Sequence, residues 1–140
     1  GNTIPGWPTL KKNSKGAEVK ALQYLFNSYG EGLTVDGIFG NQTLAAAQNF
    51  QQQSGLKVDG IVGPKTWSLL VQGKQVANGS KGDAVLAAQS LLATKYGYNI
   101  AVDGIFGPKT RDAVSDFQKK KGLVEDGIVG PQTWQALISY

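Results

Sequence analysis

The sequence predicts an all-α fold built as two tandem three-helix-bundle domains with Asp-Gly loops. Three observations predict it: an ordered set of motifs occurs twice, apolar residues recur at helical spacing inside each copy, and the intervening segments are too rich in turn glycines to form strands long enough for a sheet.

The duplication comes first because it sets the units. Ser14-Lys15-Gly16 returns as Ser80-Lys81-Gly82, and Asp36-Gly37-Ile38-Phe39-Gly40 returns as Asp103-Gly104-Ile105-Phe106-Gly107. The register continues through Phe50-Gln51 and Phe117-Gln118, and closes with Asp59-Gly60-Ile61-Val62-Gly63-Pro64-Lys65-Thr66-Trp67 against Asp126-Gly127-Ile128-Val129-Gly130-Pro131-Gln132-Thr133-Trp134. The offset is 66 residues at the first motif and 67 afterwards. One residue has been added between them, and a loop is the expected place for it. The expected domains are 9–71 and 78–139, with a Pro-bracketed lead, Ile4-Pro5-Gly6-Trp7-Pro8, before the first and a short polar connection, 72–77, between them.

Within each copy, Val19, Leu22, Phe26 and Tyr29 mark the buried stripe of helix one, as do Val85, Ala88 and Leu92 in the second. Helix two carries Thr43, Ala46, Ala47 and Phe50, matched by Thr110, Ala113, Val114 and Phe117. Leu44, whose counterpart is Arg111, is expected to face outward. A short third helix brings Trp67 and Leu70, or Trp134 and Leu137, over the core. Pro64, Pro108 and Pro131 suit the first helical position, where a missing N–H costs nothing, and Asn41 takes that place once. Val35, Ile38 and Ile61, with Val102, Ile105 and Ile128, lie in the loops, where at most a few bridging pairs between the two Asp-Gly loops of a copy are expected.

Composition narrows the chemistry. The 140 residues are 41% hydrophobic and 17% charged, which is globular, but units of about 60 residues bury only about 60% of their unfolded surface and need well-filled cores. There is no cysteine and no histidine. Disulfides, thiolate metal sites, nucleophile–histidine pairs and imidazole zinc sites are therefore excluded. The net charge of +4 is a mild basic bias, and Lys119-Lys120-Lys121 reads as a solvated helix end. No stretch reaches the ~20 apolar residues of a membrane span, and no secretion signal precedes the start at Gly1, which reads as the beginning of a processed or excised segment.

Paired carboxylates, Asp36 with Asp59 and Asp103 with Asp126, are the one constellation that suits acid–base or nucleophilic glycoside hydrolysis. Each precedes a turn glycine, however, where an Asp side chain accepts backbone N–H groups and fixes the turn. The loops lack the acidic ladder of a calcium site, and no cradle for phosphate is present. Nucleic acid is disfavoured because helix two of the first copy, 41–54, contains no Lys or Arg to neutralise phosphate. Glutamines on the helices, among them Gln23, Gln48, Gln51, Gln52, Gln53, Gln89 and Gln118, offer the mixed donors and acceptors that acetamido sugars and peptide stems require, or else hold loop backbone. Tyr24, Tyr29, Tyr96, Tyr98 and Trp7 add flat faces for sugar rings.

Taken in order, Ser-Lys-Gly, Val-x-x-Leu-Gln at 19–23, Asp-Gly-Ile-Phe-Gly with its following Thr, Phe-Gln, and Asp-Gly-Ile-Val-Gly-Pro-x-Thr-Trp resemble the small three-helix peptidoglycan-binding domain found beside bacterial and phage cell-wall hydrolases. Asn41 in place of proline and Ala88 in place of Leu22 are the departures. The resemblance implies a non-catalytic module that binds peptidoglycan, through its glycan strand or peptide stem, and targets an attached hydrolase to its substrate. It implies no cofactor and no metal, no nucleic acid or membrane partner, a monomer, and an extracellular or cell-wall location. The alternatives are a protein-docking module on the same fold and a carboxylate-based hydrolase. Candidate ligand-binding residues are Gln23, Tyr24, Asp36, Phe39, Gln51, Gln89, Asp103, Phe106 and Gln118, on a surface expected between helix one and the Asp-Gly loops.

Overall fold

The computed structural model describes residues 6–139, so Ile4 and Pro5 of the lead lie outside the described residues. The first copy contains α1 (Ala17–Ser28), α2 (Asn41–Gln53) and α3 (Pro64–Val71); the second contains α4 (Asp83–Ser90), extended by a π-helical turn over Leu91–Lys95, then α5 (Pro108–Lys120) and α6 (Pro131–Ile138). The helix starts follow the expected rule. Asn41, Pro64, Pro108 and Pro131 are each the first helical residue, and each follows an extended glycine. Lys119 and Lys120 occupy the last turn of α5, where cations complement the helix dipole.

Each copy has the core its periodicity predicts, except that Tyr29, expected in the buried stripe, is 42% exposed just past the end of α1. Val19, Leu22 and Phe26, the α2 residues Ala46, Ala47 and Phe50, and Trp67 and Leu70 are buried, as are their second-copy counterparts. Burying each such large aliphatic or Phe side chain contributes about 1.5–3 kcal/mol. The two buried indoles also need a hydrogen-bond partner. Trp67 Nε1 donates to the Pro8 carbonyl at 2.8 Å and Trp134 Nε1 to the Lys74 carbonyl at 3.0 Å, so the segment before helix one is tied to helix three in both copies. Lys74 and Val76, expected in a connection, thus belong to the second copy's fold.

That segment also corrects the expected strand pairing. The bridges do not join the two Asp-Gly loops of a copy to each other; the segment before helix one passes between them and pairs with both. Leu10 bridges Val62 and Lys15 bridges Ile38, and Val76–Val129 with Lys81–Ile105 repeat the pattern. The loop peptide groups find ladder partners there because their own side of the loop is already occupied by a helix side chain, described below.

Leu44 is a second correction. It is half-buried, and a Cβ built on Gly60 would lie 2.4 Å from its Cδ1, so the side chain lies over the loop instead of facing solvent. Arg111 covers Gly127 in the same way with its aliphatic stem, which explains how a leucine and an arginine share one position.

The added residue is a third. Gln23 and Gln89 are 66 apart, whereas Tyr29 and Tyr96 are 67 apart. The tyrosines are true counterparts, each edge-on to its copy's Phe50 or Phe117 and each donating to the Leu70 or Leu137 carbonyl. The extra residue therefore lies within 90–95, where the α-helix opens into the π-turn, and not in the loop. A π-turn is what a single insertion in a helix produces when both flanking segments keep their packing.

The two copies are not separate bodies. Beyond the predicted stripe, Ala21 and Leu25 of α1 and Ala87 and Leu91 of the second copy are also fully buried. These lie on another face of helix one, and α1 packs along α4 more extensively than any other pair of elements. Lys95, in the π-turn, clasps this junction: its Nζ lies 3.2 Å from the Glu18 carboxylate of the first copy and donates to the Leu137, Ile138 and Ser139 carbonyls at the end of α6.

Candidate functional site

A single device is built four times. Gln23 at the inner face of α1 extends its amide into the loop that follows: Nε2 donates to Asp36 Oδ1 at 3.0 Å, to the Ile38 carbonyl at 3.0 Å and to Thr43 Oγ1 at 3.1 Å. Its Oε1 accepts the N–H groups of Asp36 and Gly37 at 3.0 and 2.9 Å. The Asp36 carboxylate then accepts the Ile38 N–H at 3.0 Å, closing an Asx-type turn. Gln51 makes the same set with Asp59, Gly60, Ile61 and Thr66. Gln89 does so with Asp103, Gly104, Ile105 and Thr110. Gln118 repeats it with Asp126, Gly127, Ile128 and Thr133. There the Asp126 N–H turns to the Val124 carbonyl instead.

The candidate residues now separate by position. Gln23, Gln51, Gln89 and Gln118 are each 1% exposed, and their amides are spent on loop backbone. Phe39 and Phe106 are buried beneath the loops, with Tyr24 half-buried on α1. Asp36 and Asp103, like Asp59 and Asp126, stand exposed at the loop surface. Hydrogen bonds hold Asp36, Asp59 and Asp103 in their charged form. The Gln23 amide, aided by the Ile38 N–H, keeps Asp36 below the ordinary carboxylate range; the Ile61 N–H does so for Asp59, and the Ile105 N–H with the Gln89 amide for Asp103. A general acid requires the opposite shift.

Sequence reasoning places Thr43 and Thr110 in the buried stripe and Thr66 and Thr133 in the closing motif but misses their role in completing each device. Their signal was the constant seven-residue step from Asp to Thr: 36 to 43, 59 to 66, 103 to 110, and 126 to 133.

Beside these loops the surface is concave. A groove of about 550 Å³ lies along the loop at 59–61, bounded by Leu56, Lys57, Asp59 and Ile61 on one side and by Pro64 and Lys65 at the start of α3 on the other. Equivalent hollows of about 210 Å³ and 260 Å³ lie between Asp103–Ile105 and Pro108, and between Asp126–Ile128 and Pro131. Each joins an exposed carboxylate, an isoleucine and a proline. Ile38, Ile61 and Ile105 are 47%, 40% and 53% exposed, a repeated apolar presentation that the buried Phe39, Val62 and Phe106 beside them make possible.

Comparison with known proteins adds a family. The model described as "Putative peptidoglycan binding domain" matches residues 15–70 and again residues 81–137. The N-acetylmuramoyl-L-alanine amidase CwlL of Bacillus licheniformis is 35% identical, aligned over 89% of this chain and 43% of the amidase. The zinc D-Ala-D-Ala carboxypeptidase of Streptomyces albus G is 35% identical over 71% of this chain and 38% of that enzyme. A crystal structure of a peptidoglycan-binding protein from Clostridioides difficile in complex with glutamine hydroxamate is 48% identical, covering 46% of this chain and 40% of that one, with a TM-score of 0.45. The chain spans less than half the length of these two curated relatives.

Proposed function

Because the chain belongs to the peptidoglycan binding domain family and carries two copies of that domain, we propose that it is a non-catalytic module that holds an attached cell-wall hydrolase on peptidoglycan. The units are 9–71 and 78–139, each preceded by its lead segment, and the chain acts as a monomer outside the cell or in the wall. The observation that carries the reading is the recurrence of one groove beside three Asp-Gly loops, each offering an exposed carboxylate next to an isoleucine and a proline. Such a surface suits a polymer that alternates amides and hydroxyls with apolar ring and methyl faces. The ligand-facing members of the loops are Asp36, Asp59, Asp103 and Asp126 with their isoleucines; the glutamines act behind them as positioning residues.

Catalysis is assigned to a separate part of the parent protein. The loop carboxylates are committed to backbone N–H groups and Asp36, Asp59 and Asp103 are held ionised, so they lack the proton that a general acid must deliver. Sedimentation with insoluble peptidoglycan tests the reading. The chain should leave the supernatant with the polymer and release no reducing ends or stem peptides. Full retention in the supernatant at low salt overturns peptidoglycan binding, and release of product overturns the assignment of catalysis.

A further inference from the structure

We propose that the two copies share one continuous track for a single extended glycan strand, running from the loop at 59–61 to the loop at 126–128, in place of two independent sites. The proposal rests on the peptidoglycan reading. Four hollows follow one another and share walls. The groove beside 59–61 shares Leu56, Pro64 and Lys65 with a second hollow of about 420 Å³. That one shares Trp7 and Ser68 with a third, of about 310 Å³, at the junction of α3 and α6. The third shares Pro131 and Gln132 with the groove beside 126–128.

Trp7 stands at the middle of this path. Its half-buried ring lies parallel to Trp67, with centroids 5.8 Å apart and planes 8° apart, so the ring is already held and a ligand does not have to order it. The fold of the repeat does not call for it. Leu10 pairs with Val62 as Val76 pairs with Val129, which aligns Trp7 with Gly73, and the second copy buries Trp134 fully without a second indole. The platform therefore occurs once, where the copies meet.

Charge selects the strand over the stem. The lining of the two middle hollows contains a single charged side chain, Lys65, among the described residues, with Ser68, Gln72 and Gln132 supplying neutral donors and acceptors. A glycan of N-acetylated sugars matches this lining, whereas a peptide stem brings several carboxylates and amines that would lose water without partners. The α1–α4 packing and the Lys95–Glu18 clasp hold both ends of the path in one register.

Glycan strands freed of stem peptides, with the carboxyls that this exposes capped as simple amides, fractionated by length and titrated calorimetrically against the whole chain, test the track. Affinity should climb with length until a strand reaches both loops, then level off. Ser68→Arg, at an exposed mid-path position, should weaken long strands about tenfold or more and flatten the rise of affinity with length, because only linked contacts gain from length. Trp7→Gly, which installs the residue the second copy already has, should act in the same direction. Long strands binding no better than short ones, or both variants binding long strands normally, overturns the track. If the chain still sediments with intact peptidoglycan, that failure leaves the peptidoglycan reading standing; failure to sediment overturns both.

Discussion

Gln23 and Asp36 are bonded in both directions: the Gln23 amide donates to the Asp36 carboxylate at 3.0 Å, and the Gln23 carbonyl oxygen accepts the Asp36 backbone N–H at 3.0 Å. One buried side chain therefore fixes both the charge and the peptide of one exposed residue. Gln23→Ala should cost about 2–4 kcal/mol, because it strands two N–H groups and a threonine hydroxyl in a cavity. Gln23→Glu should be at least as damaging at neutral pH, since it sets a carboxylate against Asp36, and should recover partly in acid. Urea midpoints at pH 7 and pH 4 check both; equal midpoints for wild type and Gln23→Ala would sink the claim.

The loop carboxylates give the fold an acid limb. Asp36, Asp59 and Asp103 have folded-state pKa values below the ordinary one, so their contribution is complete above the unfolded carboxylate range, near pH 4, and is lost as pH falls through their lowered folded values. The melting temperature should be flat from neutral pH down to about 5 and fall below about 4. Replacing the three with Asn should flatten that fall. A variant that keeps the wild-type acid limb would place its origin elsewhere.

Gly60 has φ of 70° and Gly127 also 70°; the atom nearest an added Cβ is Leu44 Cδ1, the end of a flexible side chain, above Gly60, but Arg111 Cγ, close to the root of its stem, above Gly127. At Gly60 the cost of adding Cβ is therefore mostly backbone strain. Gly60→Ala should lose about 1–2 kcal/mol, and Gly127→Ala should lose more. Leu44→Ala added to Gly60→Ala should restore only a minor part in chemical denaturation. Full restoration would show that contact with Leu44 dominates.

Ser90 Oγ is buried without a hydrogen-bond partner among the described residues. Ser90→Ala should raise stability by about 1 kcal/mol, seen as a higher denaturant midpoint at unchanged slope. A lower midpoint would mean that the hydroxyl is satisfied in solution.

Because Ala21, Leu25, Ala87 and Leu91 are buried where α1 meets α4, the whole chain should unfold in one transition. Each half made alone should unfold at lower denaturant, and Leu25→Ala should cost about 2–5 kcal/mol in the whole chain. Two transitions coinciding with those of the separate halves would refute the shared core.

The fold was legible where a local rule carried it. Proline at the first helical position, the helix-two stripe from Thr43 to Phe50 and the two closing tryptophans depend on neighbours within a few turns. What could not be read depended on partners remote in sequence. Ala21 and Leu25 fit a helix in any setting, and only the second copy shows what covers them. Gln23 has the same chemistry as a ligand-binding amide or as a loop clamp, and burial distinguishes the two. The glutamines qualify as site candidates by their mixed donors and acceptors and Phe39 by its place in the loop motif, yet the accessible members are Asp36, Ile38 and their repeats. Trp7 was visible as a flat face, but its junction position follows from packing between copies.

The π-turn at 91–95 also says where this architecture has slack. An insertion usually settles in a loop because loops have room; here each loop is laced to a helix through Gln89 or its equivalents, while helix one of the second copy lengthened by a residue without moving Tyr96 off Phe117. The stiff parts are the turns and the yielding part is a helix. One further inserted residue should therefore cost less near Thr94 than inside any Asp-Gly-Ile segment, although the flanking Leu91, Leu92 and Lys95 must keep their packing.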